Sequence, residues 1–339
     1  MNTIAIDAMG GDFAPKEIVK GAILAKNLGI DVILSGDKDL IEPYLEGNKI
    51  PVVDYPEVIS MEDSPSKAIR RKPKASIVGA LNMLNENKAQ GVFSAGSTGA
   101  TLVGAISVLG KLKRDIRPTI ASVLPGLERD IVFLDSGANV DVKPKTLLYF
   151  AAMGSKFAEI LFEIESPKVG LLNIGEEENK GRDLEISAYN LLKSSNLNFI
   201  GNVEGRDLAN SKADVFVTDG FTGNVVLKTM EGTAKLQQTL ISQTLQDKLF
   251  KPLLIPVKNA LKPVKDKLNP DKINCSYLLG VNGVVTIGHG SSSAEAVKNS
   301  ILHTNKAIER GFINKFSNAI SCLLYTSDAA DDTPWVDLV

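Results

Sequence analysis

Short apolar runs rich in Val and Ile alternate with longer amphipathic stretches along most of the chain. The short runs predict β-strands at residues 3–9, 31–35, 52–55, 91–94, 131–135, 169–174, 198–201 and 215–218. Apolar residues at helical spacing predict helices at residues 15–28, 75–87, 98–109, 145–162, 183–194 and 223–245. Strands without polar alternation are typical of a parallel sheet covered on both faces. We therefore expect an α/β fold with three α/β/α layers and a mainly parallel sheet.

Two segments interrupt this alternation. Residues 248–272, within a predicted insertion at about 246–272, interleave lysines with Leu, Ile, Val and Pro. The prolines predict short helical pieces, and apolar surface beside lysines predicts peripheral contact with anionic lipid. A dimer contact or a solvated arm is the alternative. Residues 321–339 show neither the spacing of a helix nor that of a strand. We therefore interpret 1–320 as a single domain and 321–339 as a disordered or artefactual tail.

The bulk composition argues against several classes of protein. The 339 residues carry a formal charge of −2, with a pI near 5.9, which argues against general nucleic-acid binding. No apolar run reaches the roughly 18 residues of a membrane span, and the first residues lack the basic start of a signal peptide. Cys275 and Cys322 are far apart, with only His289 and His303 to accompany them. We expect neither a disulfide framework nor a metal or cofactor, in a reducing cytoplasm.

Six loops beside the apolar runs are rich in glycine and small polar residues. They lie at residues 7–15, 94–100, 135–141, 173–181, 219–224 and 288–293. Because free backbone N–H groups at strand ends and helix starts bind anions, the six loops together predict an anion-binding cleft. The P-loop pattern is absent, and residues 288–293 lack the third glycine of a dinucleotide turn.

The ordered set of these segments resembles the phosphate acyltransferase family of bacterial phospholipid synthesis. The matching segments are residues 7–12, 94–100, 135–141, 173–181, 201–207, 219–228 with 231–232, and 279–292. The resemblance extends from residue 1 to about residue 320. Three features depart from it: Ser97 stands where Asn is expected, residues 274–277 replace Gly-Gly-Ala-Pro, and nothing in 321–339 matches.

The resemblance implies transfer of an acyl group from acyl-[acyl carrier protein] to inorganic phosphate, which yields acyl phosphate and free carrier protein. It also implies a homodimer with an isocitrate- or isopropylmalate-dehydrogenase-like or phosphotransacetylase-like fold. A membrane-bound glycerol-3-phosphate acyltransferase would take the product. We therefore expect a cytoplasmic protein with peripheral contact on the inner face of the plasma membrane.

Three residues are the candidates for catalysis. Lys180 could bind phosphate or polarise the thioester carbonyl, or it could be a solvated lysine that offsets the acidic run 176–178. His289 could protonate the departing pantetheine thiolate, or it could be a packing residue or a helix-capping residue. Asp219 could hold Lys228 or another donor in place, or it could be purely structural.

The predicted substrate-binding residues share a place in the glycine-rich loops, or just beyond them. Asp and Asn side chains there could orient or donate to phosphate, and glycines allow close backbone approach, although capping and turn roles explain the same residues. They are Asp7, Gly10, Gly11, Asp12, Gly96, Ser97, Thr98, Gly99, Asn139, Gly175, Thr222, Gly223, Asn224 and Lys228.

Two short basic runs could steer an acidic carrier protein, or they could be solvated faces. They are Arg70, Arg71, Lys72 and Lys74, and Lys111, Lys113, Arg114 and Arg117.

The favoured mechanism is direct attack by phosphate on the thioester, because no cysteine lies in a nucleophile-like turn. A first alternative is a serine acyl-enzyme, since Ser97, Asp219 and His289 occur in Ser-Asp-His order and residues 95–99 approximate a nucleophile elbow. A second is a non-catalytic anion-binding protein.

Overall fold

The computed structural model describes residues 2–244, 260–264, 267 and 275–318. In this part of the chain, the buried apolar runs form one sheet of eleven strands. The strands are β1 (Thr3–Asp7), β2 (Asp31–Gly36), β3 (Val52–Asp54), β4 (Gly91–Ser94), β5 (Thr119–Pro125), β6 (Asp130–Leu134), β7 (Val169–Leu172), β8 (Phe199–Val203), β9 (Val215–Val217), β10 (Cys275–Leu279) and β11 (Val284–Gly288).

The direction of the strands changes in the middle of the sheet. The order is β3-β2-β1-β4-β11-β10-β5-β6-β9-β7-β8. The first five strands of this order, β3, β2, β1, β4 and β11, are mutually parallel. The last four, β6, β9, β7 and β8, are also mutually parallel. Strands β10 and β5 join these two halves through antiparallel pairs. The carboxyl ends of β1, β4 and β11 therefore lie at one edge, and those of β6, β7 and β9 at the opposite edge.

Helices cover both faces of the sheet. They are α1 (Lys16–Asn27), α2 (Lys38–Ile41), α3 (Pro65–Arg71), α4 (Ser76–Asn85), α5 (Thr98–Leu109), α6 (Pro144–Phe162), α7 (Asp183–Lys193), α8 (Gly205–Ala209), α9 (Gly220–Thr244) and α10 (Ala294–Glu309), with a 3₁₀ turn at Glu42–Tyr44. Helices α1 and α10 pack on one face of the first half, and α4 and α5 on the other. Helices α6 and α7 cover one face of the second half, and α9 lies on the other. The predicted α/β/α layers and mainly parallel sheet are confirmed.

Strands β5, β10 and β11 are absent from the sequence prediction, as are helices α2, α3, α8 and α10. Strand β5 contains Ser122, whose Oγ lies 2.8 Å from Oγ of both Ser136 and Ser276. Because these buried hydroxyls satisfy one another, polar residues occupy a central strand at little cost. The short helices span too few turns to show a period.

The basic segment and the tail fall largely outside the described residues. Of residues 246–272, only 260–264 and 267 are described, and 260–264 are helical. The predicted short helical pieces and lipid contact therefore stay predictions, as does the interpretation of residues 321–339. Among the described helices, none is long and apolar enough to cross a membrane.

Candidate active site

The first group of predicted site residues lies where β1, β4 and β11 end. Ser94 Oγ donates to Asp7 Oδ2 at 2.6 Å and accepts from the N–H of Gly96 at 3.1 Å. A Cβ on Gly10 would lie 2.4 Å from Asp7 Oδ2 and 2.8 Å from Gly96 N, so only glycine allows the two loops to meet. The N–H of Asp12 donates to the Gly290 carbonyl at 2.8 Å. Three of the six glycine-rich loops therefore form one cluster.

Helix α5 begins in this cluster. Ser97 is its N-cap, and its Oγ accepts from the N–H of Ala100 at 3.4 Å. The N–H groups of Thr98 and Gly99 lie in the first turn, where a helix offers no internal acceptor. Free donors of this kind, together with the helix dipole, have the geometry and charge that suit one oxyanion.

The second group lies at the opposite edge, where β6 and β9 end. Asp135 is fully buried, and its carboxylate accepts from the backbone N–H groups of Gly137, Ala138 and Asn139 at 2.7–3.2 Å. This turn carries Asn139, whose side chain donates to the Pro118 carbonyl at 2.9 Å. The predicted donor Asn139 is thus already engaged in holding the loop.

Asp219 begins the α9 turn and makes an ion pair with Arg182. Arg182 Nη2 lies 2.6 Å from Asp219 Oδ2, and Arg182 also pairs with Glu185. Burial alone would raise the pKa of Asp219, but hydrogen bonds from Thr222 and Arg182 outweigh it and lower the pKa. The same acids hold the pKa of Arg182 well above its usual value. Asp219 therefore holds Arg182 and Thr222 rather than Lys228, so the donor beside it is the alternative that the sequence left open.

Lys180 lies in the loop that leads to Arg182. Asn173 Nδ2 donates to the Lys180 carbonyl at 2.9 Å, which fixes the loop backbone. Two of the three acids of the run 176–178 are paired elsewhere: Glu176 with Lys212, and Glu178 with Lys193. Within the described residues the exposed Lys180 ammonium makes no ion pair, so it is a cation available to a ligand.

Helix α9 connects the two groups. Lys228, eight residues after Gly220, places its Nζ 3.5 Å from His289 Nε2 and 2.8 Å from Glu231 Oε2. The N–H of Ser291 donates to His289 Nδ1 at 3.2 Å, which orients the ring with Nε2 toward Lys228. His289 Nε2 therefore lies on the half-exposed side of the ring, beside Lys228.

The predicted site residues thus fall into two sets joined by α9, and the six loops do not converge on one edge. Asp7, Gly10, Gly11, Asp12, Gly96, Ser97, Thr98 and Gly99 lie in the first set, with His289 and Lys228 beside them. Asn139, Gly175, Lys180, Asp219, Thr222, Gly223 and Asn224 lie in the second. The reason is the pair of antiparallel strands β5 and β10, which the apolar pattern did not reveal.

Sequence reasoning missed Arg182, Ser94, Asp135 and Glu231 as site residues. Ser94 and Asp135 lie inside the glycine-rich loops that it did identify. Arg182 carries no such signal, since its role depends on the contact with Asp219. Among the described residues, His, Cys, Asp and Glu side chains form no group of three that could hold a metal ion.

The serine triad is not assembled. Asp219 bonds to Arg182 and Thr222, and the His289 ring faces Ser291, Lys228 and Glu231. The geometry therefore gives the acyl-enzyme alternative no support.

Comparison with known proteins decides the family. The family described as "Fatty acid synthesis protein" matches residues 2–315. The chain is 44% identical over 329 residues to the phosphate acyltransferase of Pelotomaculum thermopropionicum, covering 94% of this chain and 95% of the relative. The chain belongs to the phosphate acyltransferase family. It is also 45% identical to the phosphate acyltransferase of Oceanobacillus iheyensis, covering 90% of this chain and 93% of that one. A member of this family is an enzyme of the transferase class.

Solved structures with low identity share the fold of this phosphate acyltransferase family member. A phosphotransacetylase from Streptococcus pyogenes superposes with a TM-score of 0.60 at 16% identity, covering 91% of this chain and 94% of that one. A branched-chain phosphotransacylase from Enterococcus faecalis gives 0.58 at 15% identity, covering 91% and 99%. A 4-hydroxythreonine-4-phosphate dehydrogenase from Salmonella typhimurium gives 0.54 at 12% identity, covering 90% and 99%. The predicted phosphotransacetylase-like fold is confirmed.

Proposed function

We propose that this protein transfers an acyl group from acyl-[acyl carrier protein] to inorganic phosphate. A phosphate oxygen attacks the thioester carbon, the C–S bond breaks, and the pantetheine thiolate takes a proton as acyl phosphate forms. The observation that carries the proposal is the contact of the His289 loop with the loop of Gly10 and Gly11, beside the start of α5. It brings a proton donor next to an anion site.

Different residues bind phosphate, protonate the thiolate and stabilise the oxyanion in this proposal. The N–H groups of Thr98 and Gly99 bind phosphate, and the protonated form of His289 donates its Nε2 proton to the thiolate, which leaves a neutral imidazole. Lys228 Nζ, 3.5 Å from that nitrogen, places a positive charge beside the departing thiolate. Lys180 stabilises the carbonyl oxyanion. Gly220 and Lys228 are separated by about 12 Å along α9. The proposal therefore requires the exposed Lys180 side chain to extend along α9 toward His289, so that Lys180 and phosphate contact the same carbonyl group.

Phosphate dependence tests the reaction. Purified protein with acyl-carrier protein is expected to release free thiol only when phosphate is supplied, and hydroxylamine is expected to trap the acyl phosphate. Acyl-coenzyme A serves as a second donor that lacks the carrier protein. Equal thiol release without phosphate would show a hydrolase, and no release with either donor would favour the non-catalytic alternative.

The carrier protein is proposed to dock at the end of α3. A Cβ on Gly99 would lie 2.8 Å from Cγ of Pro65, the first residue of α3, so this helix begins beside the anion site. Its last turn exposes Arg70 and Arg71, whereas Lys72 is paired with Asp63 at 2.7 Å. An exposed basic helix end next to the site suits an acidic carrier.

Charge-reversal variants test which of the two basic runs binds the carrier protein. Arg70→Glu with Arg71→Glu is expected to raise KM for acyl-carrier protein at least several-fold and leave KM for acyl-coenzyme A unchanged. Lys111→Glu with Arg114→Glu is the matched control, because that run follows the far end of α5. The reverse result would assign docking to the second run.

The homodimer is also proposed, and α9 supports it. Four exposed apolar side chains lie on one face of α9, at spacings that are near whole turns: Phe221, Val225, Leu236 and Leu240. The opposite face packs Val226, Leu227 and Met230 on the sheet. Leu236→Asp is expected to shift the mass by light scattering toward a monomer; an unchanged dimer mass would place the interface elsewhere.

The cytoplasmic location, the single unit of residues 1–320 and the handover of acyl phosphate to a membrane glycerol-3-phosphate acyltransferase complete the proposal. Contact with anionic lipid is proposed for residues 246–272, which fall mostly outside the described part. Flotation with anionic liposomes at low salt is expected to carry the protein, and Leu254→Glu is expected to weaken it. Equal flotation with neutral liposomes would contradict lipid contact through charge.

A further inference from the structure

Asp7 is the most deeply buried acid of the anion-binding cluster. It ends β1, and its side chain is 2% exposed. Its Oδ2 accepts from Ser94 Oγ, which in turn accepts from the N–H of Gly96. This chain of hydrogen bonds fixes the backbone that enters α5. Asp7 thus determines where the free N–H groups of α5 point.

The other oxygen of Asp7 is unsatisfied. Within the described residues, Oδ1 has no hydrogen-bond partner. Asp7 lines a cavity of about 10 Å³ together with Gly10, Gly96 and Ser97, at the start of α5. A polar cavity of this size has room for about one water molecule. A buried carboxylate oxygen without a partner is costly, so the site favours a neutral carboxyl or a ligand that supplies the missing bond.

The electrostatic surroundings agree with the geometry. Burial raises the pKa of Asp7, and the hydrogen bond from Ser94 offsets this only in part. The Ser76 hydroxyl and the Met9 and Gly10 amides approach the carboxylate and offset it further, but none of them forms a well-aligned hydrogen bond to Oδ1. No charged side chain contributes to the shift. The cavity residues from α4, α5 and the 58–59 loop are all uncharged, as is Ser94 on β4, and Asp12 on the same loop lies against Gly290.

We propose that Asp7 is a positioning residue that holds a proton while phosphate is bound at the start of α5. Oδ1–H donates to the bound dianion, directly or through the one water that the cavity can hold. The proton comes from solvent as phosphate binds and returns to solvent when product leaves, and Asp7 forms no bond to the reacting carbon. An ionised Asp7 would repel the dianion across a poorly screened gap. The inference rests on the proposed function, which supplies phosphate as the substrate.

Asp7→Asn is the decisive variant, because asparagine keeps the acceptor for Ser94 and places a permanent donor at the position of Oδ1. A raised folded-state pKa means that the neutral acid is present below that pKa and is lost as pH rises through it. In the wild type, KM for phosphate is therefore expected to rise up to tenfold per pH unit above the pKa. In Asp7→Asn this part of the pH dependence disappears. Asp39→Asn, an exposed acid on α2, is the control and corrects for titration of phosphate itself.

Calorimetry with inorganic sulfate gives a readout without turnover, because sulfate carries no proton near neutral pH. Titrations in two buffers of different ionisation enthalpy are expected to show uptake of up to one proton in the wild type and none in Asp7→Asn. Equal proton uptake in both proteins, or no sulfate binding by the wild type, overturns the inference. If thiol release needs no phosphate, the proposed function fails instead.

A second measurement covers the case in which Asp7→Asn does not fold. Infrared spectra of the wild type are expected to show a neutral carboxyl band that persists above the pH at which ordinary carboxyls ionise and grows when sulfate is added. Asp39→Asn is expected to leave this band unchanged. Absence of the band at every pH overturns the inference.

Discussion

The contact of Gly223 with Asp135 makes the sharpest prediction about the site. A Cβ on Gly223 would lie 1.8 Å from the Asp135 carbonyl oxygen, where ordinary contact begins at 3.4 Å. The gap must therefore open by about 1.6 Å, the difference between these two distances. Asp135 resists this movement because its carboxylate holds the N–H groups of Ile120 and Gly137. The start of α9 has to move instead.

The magnitude follows from two opposing effects. Overpacking of this kind costs about 1–3 kcal/mol, and a rigid backbone acceptor favours the upper end. Replacing Gly by Ala inside a helix returns about 1 kcal/mol. Gly223→Ala is therefore expected to lower the free energy of unfolding by about 2 kcal/mol, which lowers Tm by about 3 °C for a chain of this size.

Gly205→Ala is the matched control. Gly205 begins α8, is exposed, and a Cβ there would have nothing within 4 Å. Its Ala variant is expected to be as stable as the wild type or more stable by a few tenths of a kcal/mol. Thermal unfolding followed by circular dichroism compares the three proteins. If Gly223→Ala unfolds within about 0.5 kcal/mol of Gly205→Ala, the close approach of α9 to Asp135 is refuted.

Three further substitutions test individual site residues. Lys180→Ala is expected to lower kcat/KM by roughly 10²-fold, about 2.7 kcal/mol of transition-state stabilisation, and Lys180→Arg to retain more activity; wild-type kinetics of the Ala variant would make the residue structural. Ser97→Ala removes the N-cap of α5 and is expected to lower the free energy of unfolding, measured with denaturant, by about 1 kcal/mol while kcat stays unchanged. A loss of about 10³-fold or more in kcat would instead support the acyl-enzyme mechanism. Arg182→Gln is expected to destabilise at neutral pH. Because the folded-state pKa of Asp219 is lowered, the stabilising interaction exists above the unfolded-state pKa and is lost as pH falls through the folded one, so the difference narrows in acid. If Arg182→Gln lowers the free energy of unfolding by the same amount at every pH, the stabilising role of the Arg182–Asp219 pair is contradicted.

Much of the fold follows from local patterns. The apolar runs at residues 91–94 and 98–109 predicted β4 and α5 with the bounds that the structure has, because burial on both faces and helical periodicity are both visible within a few residues. The glycine-rich loops were likewise identifiable, since their composition reflects tight turns and helix starts. Charge and cysteine content argued against nucleic-acid binding, a disulfide framework and a metal site, and these stay predictions.

The tertiary structure alone decided how these pieces meet. The sequence does not reveal that β5 is a central strand, because it contains the polar residue Ser122. Burial of Ser122 costs little free energy only when the hydroxyls of Ser136 and Ser276 approach it from distant parts of the chain. The antiparallel pairs of β5 and β10 then reverse the second half of the sheet and divide the predicted cleft into two groups. The pairing of Arg182 with Asp219 and the orphaned oxygen of Asp7 arise from contacts across many residues. A local pattern cannot encode them, because each depends on the free energy of groups that only folding brings together.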